Sequence, residues 1–281
     1  MMLGESLFSI VFGWGDLETL MYHRLMKPVP ISAVYFAWFS FTALCWIYLE
    51  WLNIDGRWKT FAAVTLPVAL LLSASKLFAA AAIAFGVYYL WMLVRRNGWR
   101  RTYIVIVAGV CALSIPVSMR FSEVLNPNLQ LAFQDSYRYD SPFNGANLRL
   151  TQWRFGVEIL NREKAWMLGV GPQHKQQKLN QRYEETGMYT GNPNFNDLGY
   201  RAYNYHNQYI ETLVGTGAVG LALLLIALAA AAVVSARYRN KTMLALLFVA
   251  LLFMCTESVL ERQQGVVMVG LVLAMAWQPP R

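Results

Sequence analysis

The sequence predicts an all-α protein, a polytopic bundle of about seven transmembrane helices with one long extracytoplasmic loop that contains amphipathic helices. Three observations carry that expectation. Of the 281 residues, 57% are hydrophobic and only 14% charged, whereas a soluble domain carries about 25% charged residues. The charges vanish from several runs long enough to cross about 30 Å of hydrocarbon, which takes roughly 20 apolar residues as a helix. These runs are continuous rather than alternating with period two, so helices fit better than barrel strands, the two structures that satisfy the backbone in lipid. A mean hydropathy of +0.35 agrees with this reading.

Residues 1–13 lack a basic n-region and carry Glu5. They read as the end of a membrane or interfacial segment rather than a secretory signal. Spans are expected at 31–52, 60–75, 77–94, 102–119, 208–236, 242–256 and 264–278. The formal charge of +8 and the pI near 9.4 do not indicate nucleic acid. Arg95, Arg96, Arg100 and Arg101 sit in one short loop, and Arg237, Arg239 and Lys241 in another. Short basic loops between spans face the cytoplasm, and these seven cations nearly account for the excess. Walking outward from 95–101, the loops at 53–59 and 237–241 are also cytoplasmic. The turn at 73–76, residues 120–205 and residues 257–263 then lie outside. Three parts follow: N-terminal spans over 1–119, an extracytoplasmic (periplasmic) loop over 120–205 and C-terminal spans over 206–281. Cys45, Cys111 and Cys255 fall in separate apolar runs and read as small buried hydrophobes.

The 120–205 loop is rich in Asn, Gln, Tyr, Arg and Pro, with ten Arg/Lys against eight Asp/Glu. Loops of this length are usually functional. Asn147 is a plausible cap for a helix over Leu148–Leu168, with apolar residues Leu150, Trp153, Val157 and Leu160 at helical spacing. Gly169-Val170-Gly171-Pro172 ends it. Residues 186–200 read as irregular.

Four places could carry chemistry. His206 stands where the loop enters the next span. A helix start disfavours a neighbouring cation, and a neutral imidazole there can act as a general base; the alternative is an interfacial histidine that caps the helix. Arg149, with Trp153 one turn later, could grip a phosphate bidentately or simply lie on headgroups. Lys76 sits in the turn between two apolar runs, where snorkelling is the alternative. Glu257, Glu261 and Arg262 occupy the short outer loop after the sixth span, where a local ion pair would explain them as well. Lys76, Arg149, His206 and Glu257 come from four parts of the chain and all face the same side, which is the main argument for a site. Gly215-Thr216-Gly217-Ala218-Val219-Gly220 fits a dinucleotide pattern but follows no strand, so close packing of small residues is the better reading. His23, His174 and His206 lack metal-site spacing, and no metal or cofactor is expected.

Three stretches resemble the bacterial O-antigen ligase and polymerase family of multispanning glycosyltransferases, in a form like its Bacteroidetes members. They are Arg149-Leu150-Thr151-Gln152-Trp153 followed by Trp166–Pro172, then Tyr205-His206-Asn207-Gln208-Tyr209-Ile210-Glu211 leading into the glycine-rich span, then Thr256–Gln263. The resemblance covers about residues 60–278, and 20–40 more loosely. It implies transfer of a glycan from undecaprenyl pyrophosphate at the periplasmic face of the inner membrane, by a metal-independent inverting route. The acceptor would be a lipid A-core sugar in a ligase, or another lipid-linked repeat in a polymerase. Ligase is the leading expectation, a polymerase the alternative. A protein O-glycosyltransferase is less favoured and a polysaccharide or lipid transporter least. The expected partners are the lipid-linked glycan donor, a lipid A-core or glycan acceptor and membrane lipids, with no nucleic acid. The resemblance also implies that His206 deprotonates the acceptor and that Arg149 holds the departing pyrophosphate. Lys76 falls where the family has a second arginine; it keeps the charge without the fork. Trp153, Asn207, Glu257 and Arg262 complete the expected substrate-binding set. Family members have around a dozen spans and this chain about seven, so the expectation is either that N-terminal helices are missing here, which is favoured, or that the protein is a reduced member.

Overall fold

The computed structural model describes residues 31–49 and 129–276, with scattered positions between 65 and 91. Among them are six α-helices: α1 (Ala33–Leu49), α2 (Gly145–Arg162), α3 (Lys175–Glu185), α4 (Gln208–Arg237), α5 (Lys241–Met254) and α6 (Gln263–Ala276). No named strand occurs among the described residues; the one β-bridge pairs Asn192 with Asp197. The all-helical expectation is therefore met. Most of the spans expected at 60–75 and 77–94, all of that at 102–119, and Lys76 lie outside the described residues.

The chain divides into two compact units. The first comprises residues 1–115 and 241–249. Its described helix α1 is uncharged and mostly apolar and buries Tyr35, Trp38, Phe41 and Leu44, and the Phe41 ring lies 6.0 Å from that of Phe78.

The second unit comprises residues 116–240 and 250–281. Its core gathers Phe155, Ile159 and Leu160 of α2, Leu179 and Tyr183 of α3, and Val214 of α4, closed by Leu131, Tyr137, Met188 and Tyr205. Helix α2 starts earlier than expected. Asn144 is the cap, accepting from the backbone N–H groups of Ala146 and Asn147, and Asn147 accepts in return from Asn144 N–H at 2.7 Å. This reciprocal box satisfies donors that a helix start otherwise leaves bare. The helix ends at Arg162, sooner than Leu168, because Lys164 turns left-handed (φ 51°). Helices α2 and α4 cross closely at Gly156, where an added Cβ would sit 2.9 Å from the Ile210 side chain.

Helix α4, of 30 residues, is long and apolar enough to cross a membrane, and little of its apolar stretch is buried. Helices α5 and α6 are apolar but shorter. Inside α4 the backbone breaks at Gly217 (φ 68°, ψ −170°), a conformation glycine adopts without penalty. The loop after α2 docks there by its backbone. Val170 and Gly171 N–H donate to the Val214 and Gly215 carbonyls at 2.8 and 3.0 Å, and Ala218 N–H donates to the Trp166 carbonyl at 2.8 Å. A Cβ on Gly169 or Gly217 would lie 2.6 Å or less from the opposing backbone. Gly215 and Gly217 thus serve close approach, but what they admit is the loop after α2 rather than the neighbouring helix that was expected.

Candidate active site

Three side chains from three segments meet in the second unit. Arg149 projects from the second turn of α2. His206 lies two residues before α4, and Glu257 lies just past α5, on a turn whose N–H donates to the Phe253 carbonyl. Glu257 bridges the other two. Its Oε2 is 3.3 Å from His206 Nδ1 and its Oε1 is 3.3 Å from Arg149 Nη2. The three side chains are partly exposed, at 35% for Arg149, 23% for His206 and 19% for Glu257, so the site is open to a solute. Arg149 Nη1 also donates to the Gly145 carbonyl at 3.2 Å, while its Nε is buried without a hydrogen-bond partner. A partly exposed guanidinium at an open site can meet an anion through its forked donors.

His206 does not cap α4. Asn207 does, accepting from Tyr209 and Ile210 N–H, and its amide donates to the Cys255 carbonyl at 3.2 Å. The cap therefore also ties the start of α4 to the segment carrying Glu257. His206 itself holds a left-handed backbone (φ 46°), a conformation uncommon outside glycine that costs about 1–3 kcal/mol and concentrates at functional sites. Its N–H donates to Asn204 Oδ1 at 3.0 Å. The Tyr203 ring stands 5.7 Å away, and Trp153 Nε1 donates to the Tyr205 carbonyl at 3.0 Å. Trp153 thus steadies the residue before His206. The Arg262 side chain is exposed and makes no ion pair among the described residues.

A second cluster lies behind this group. Lys175 Nζ bonds Glu211 Oε1 at 2.9 Å and Glu261 Oε1 at 2.5 Å. Glu211, 1% exposed, uses its other oxygen to accept from Ser258 Oγ at 2.9 Å and from Tyr205 N–H at 3.4 Å. Burial pulls the Lys175 ammonium down, but the two carboxylates outweigh it and hold it above the ordinary lysine value. Lys175 carried no signal in the sequence. Glu211 did, as the one charge at the head of an apolar span.

The O-antigen ligase family model matches residues 61–225. That is more than half of the chain. The chain belongs to the O-antigen ligase family. The matched segment includes Lys76, Arg149, Trp153, His206 and Asn207, while Glu257 and Arg262 lie beyond it. No curated protein matches the chain. Membership in the O-antigen ligase family makes this a membrane-integral protein of the O-antigen ligase and polymerase type, glycosyltransferase-like and associated with lipopolysaccharide biosynthesis, whose partners in general are a lipid-linked glycan and a lipid or glycan acceptor.

Proposed function

We propose that this protein is a ligase of the inner membrane, transferring a glycan from undecaprenyl pyrophosphate to a lipid A-core sugar at the periplasmic face, with His206 as general base and Arg149 as pyrophosphate grip. The observation that supports this most is the placement of Glu257 between those two side chains, 3.3 Å from each. A carboxylate at Nδ1 favours the tautomer protonated there and leaves the Nε2 lone pair for the substrate.

In this reading the acceptor hydroxyl gives its proton to His206 Nε2 while its oxygen attacks the anomeric carbon. The bond from that carbon to the phosphate oxygen breaks, and its electron pair leaves with undecaprenyl pyrophosphate. Attack opposite the leaving group inverts the anomeric centre. A positioned base contributes about 10²–10⁴-fold. The Arg149 guanidinium meets charge as it develops on the leaving oxygen, and Lys76 adds a second cation. These cations supply the counter-charge for pyrophosphate, so the reaction calls for neither a metal nor a nucleotide sugar. Trp153 and Asn207 border the substrate while bracing the chain on either side of His206, and Arg262 offers a further contact for the anionic donor. The loop over 120–205 faces the periplasm, with seven spans anchoring it.

The test is His206→Ala in a strain dependent on this gene. Long-chain surface glycan should disappear, with lipid-linked polymer accumulating unattached. Glycan persisting at the normal level rejects the catalytic assignment. Single repeats attached to the acceptor instead identify a polymerase.

A further inference from the structure

Trp166, Met167 and Leu168 follow α2 as an apolar turn, and Met167 and Leu168 are 65% and 75% exposed. Such a patch on a loop otherwise rich in charge asks for a partner. Its attachment says which. The Trp166 and Met167 carbonyls accept from the N–H groups of Ala218 and Val219, the first two residues past the Gly217 break. From Ala218 to Arg237 the helix rises about 30 Å at ~1.5 Å per residue, equal to the hydrocarbon thickness of about 30 Å. The whole of α4 would rise about 45 Å, well beyond that thickness. Val219, Leu223 and Ile226 are exposed along the same stretch, and Arg237 closes its far end. The turn is thus continuous with the outer end of the apolar span. The Trp166 indole N–H is already satisfied by Asn161 Oδ1 at 2.9 Å, which suits a ring lying at the level of the headgroups. Behind the turn, Glu163 pairs with Lys178 at 2.5 Å and stays in water.

We propose that the Trp166–Met167–Leu168 turn is seated in the outer-leaflet interface of the bilayer, and that the Gly217 break marks the depth at which the span begins. The partner of this surface is lipid. The proposal rests on the outward-facing loop of the proposed function and adds a fixed height for it. Because Gly169 and Gly217 lock the turn to α4 backbone to backbone, the turn sets how far above the lipid α2 holds Arg149.

The experiment uses the full chain with Cys45, Cys111 and Cys255 replaced by serine, reconstituted in phosphatidylethanolamine–phosphatidylglycerol liposomes. Single spin labels are placed by Met167→Cys, Leu168→Cys, Leu225→Cys and Arg138→Cys, and collision with oxygen is compared with collision with a water-soluble nickel chelate. Labels at 167 and 168 should favour oxygen, at a shallower depth than 225, while 138 favours nickel. Nickel preference at 167 and 168 overturns the seat, and so does low access to both reagents, which means that protein covers the turn. Nickel preference at 225 overturns the span itself and the seat with it. The seat can fail while His206 still proves essential, so the two readings separate.

Discussion

Glu257 divides its two carboxylate oxygens between an imidazole and a guanidinium, so its removal has two separable effects. Glu257→Gln keeps an oxygen for one partner and loses the charge that both share. It should lower kcat in a reconstituted transfer assay with a smaller change in acceptor KM, because orienting His206 matters to the proton transfer rather than to binding. Arg149→Lys keeps the charge but not the fork, so it should retain more activity than Arg149→Ala at the same site. An unchanged kcat in Glu257→Gln would remove the carboxylate from the proposed mechanism. Lys175 makes a different kind of contribution. Lys175→Met strands the buried Glu211 carboxylate, a change that costs about 3–5 kcal/mol where one partner of a buried pair is lost. A large drop in thermal midpoint should follow, partly restored in the Lys175→Met/Glu211→Gln double variant. The folded-state value of Lys175 lies above its ordinary one, so its contribution is complete below about pH 10.4, the ordinary lysine value, and is lost as pH rises past the higher folded value. Thermal midpoints across alkaline pH should show this loss in the wild type and not in the double variant.

Among the elements, α4 decides most. Its first turns belong to the loop's core, through Val214, and its remainder is apolar and largely exposed. Gly217 separates the two. Gly217→Ala places a Cβ about 2.2 Å from the Met167 carbonyl oxygen in a left-handed conformation, so the loop must lift away from the break. Hydrogen exchange at the amides of Val170 and Gly171, which bond to α4 in the wild type, should speed up well before exchange in the middle of α2. Unchanged protection there would mean that the docking does not depend on the glycine. Helix α2 owes its start to the Asn144–Asn147 box and its end to Lys164, both local effects. The crossing at Gly156 aligns it with α4 and so brings Arg149 to the side on which His206 lies.

At the scale of the molecule, the proposed topology is open to direct test. In the background without native cysteines, Arg138→Cys should react with an impermeant maleimide in intact spheroplasts, and Arg239→Cys only after permeabilisation. The reverse pattern would invert every side assignment drawn from the basic loops. The Arg149–Glu257–His206 group lies wholly within the second unit, in residues contributed by segments up to 108 positions apart in sequence. The Arg149–Glu257 bridge therefore forms only when the loop, the head of α4 and the turn after α5 have packed together.

Much of this was legible in the residues. An apolar run of membrane length satisfies its backbone as a helix, so composition alone marked α1, α4, α5 and α6, whereas the common side of Arg149, His206 and Glu257 is an expectation from the basic loops that the labelling experiment tests. Glu211 was passed over in the sequence, although a charge at the head of an apolar span is the kind of signal that could have found it. Only the tertiary structure joined Lys175 to Glu261, 86 positions away, made Asn207 rather than His206 the cap, and turned the glycines of α4 into a dock for the loop. These are matters of which backbone approaches which, and at what register. Hydrophobicity marks which runs are helices and charge predicts the side of each loop, but close packing at Gly156, Gly169 and Gly217 decides which residues touch.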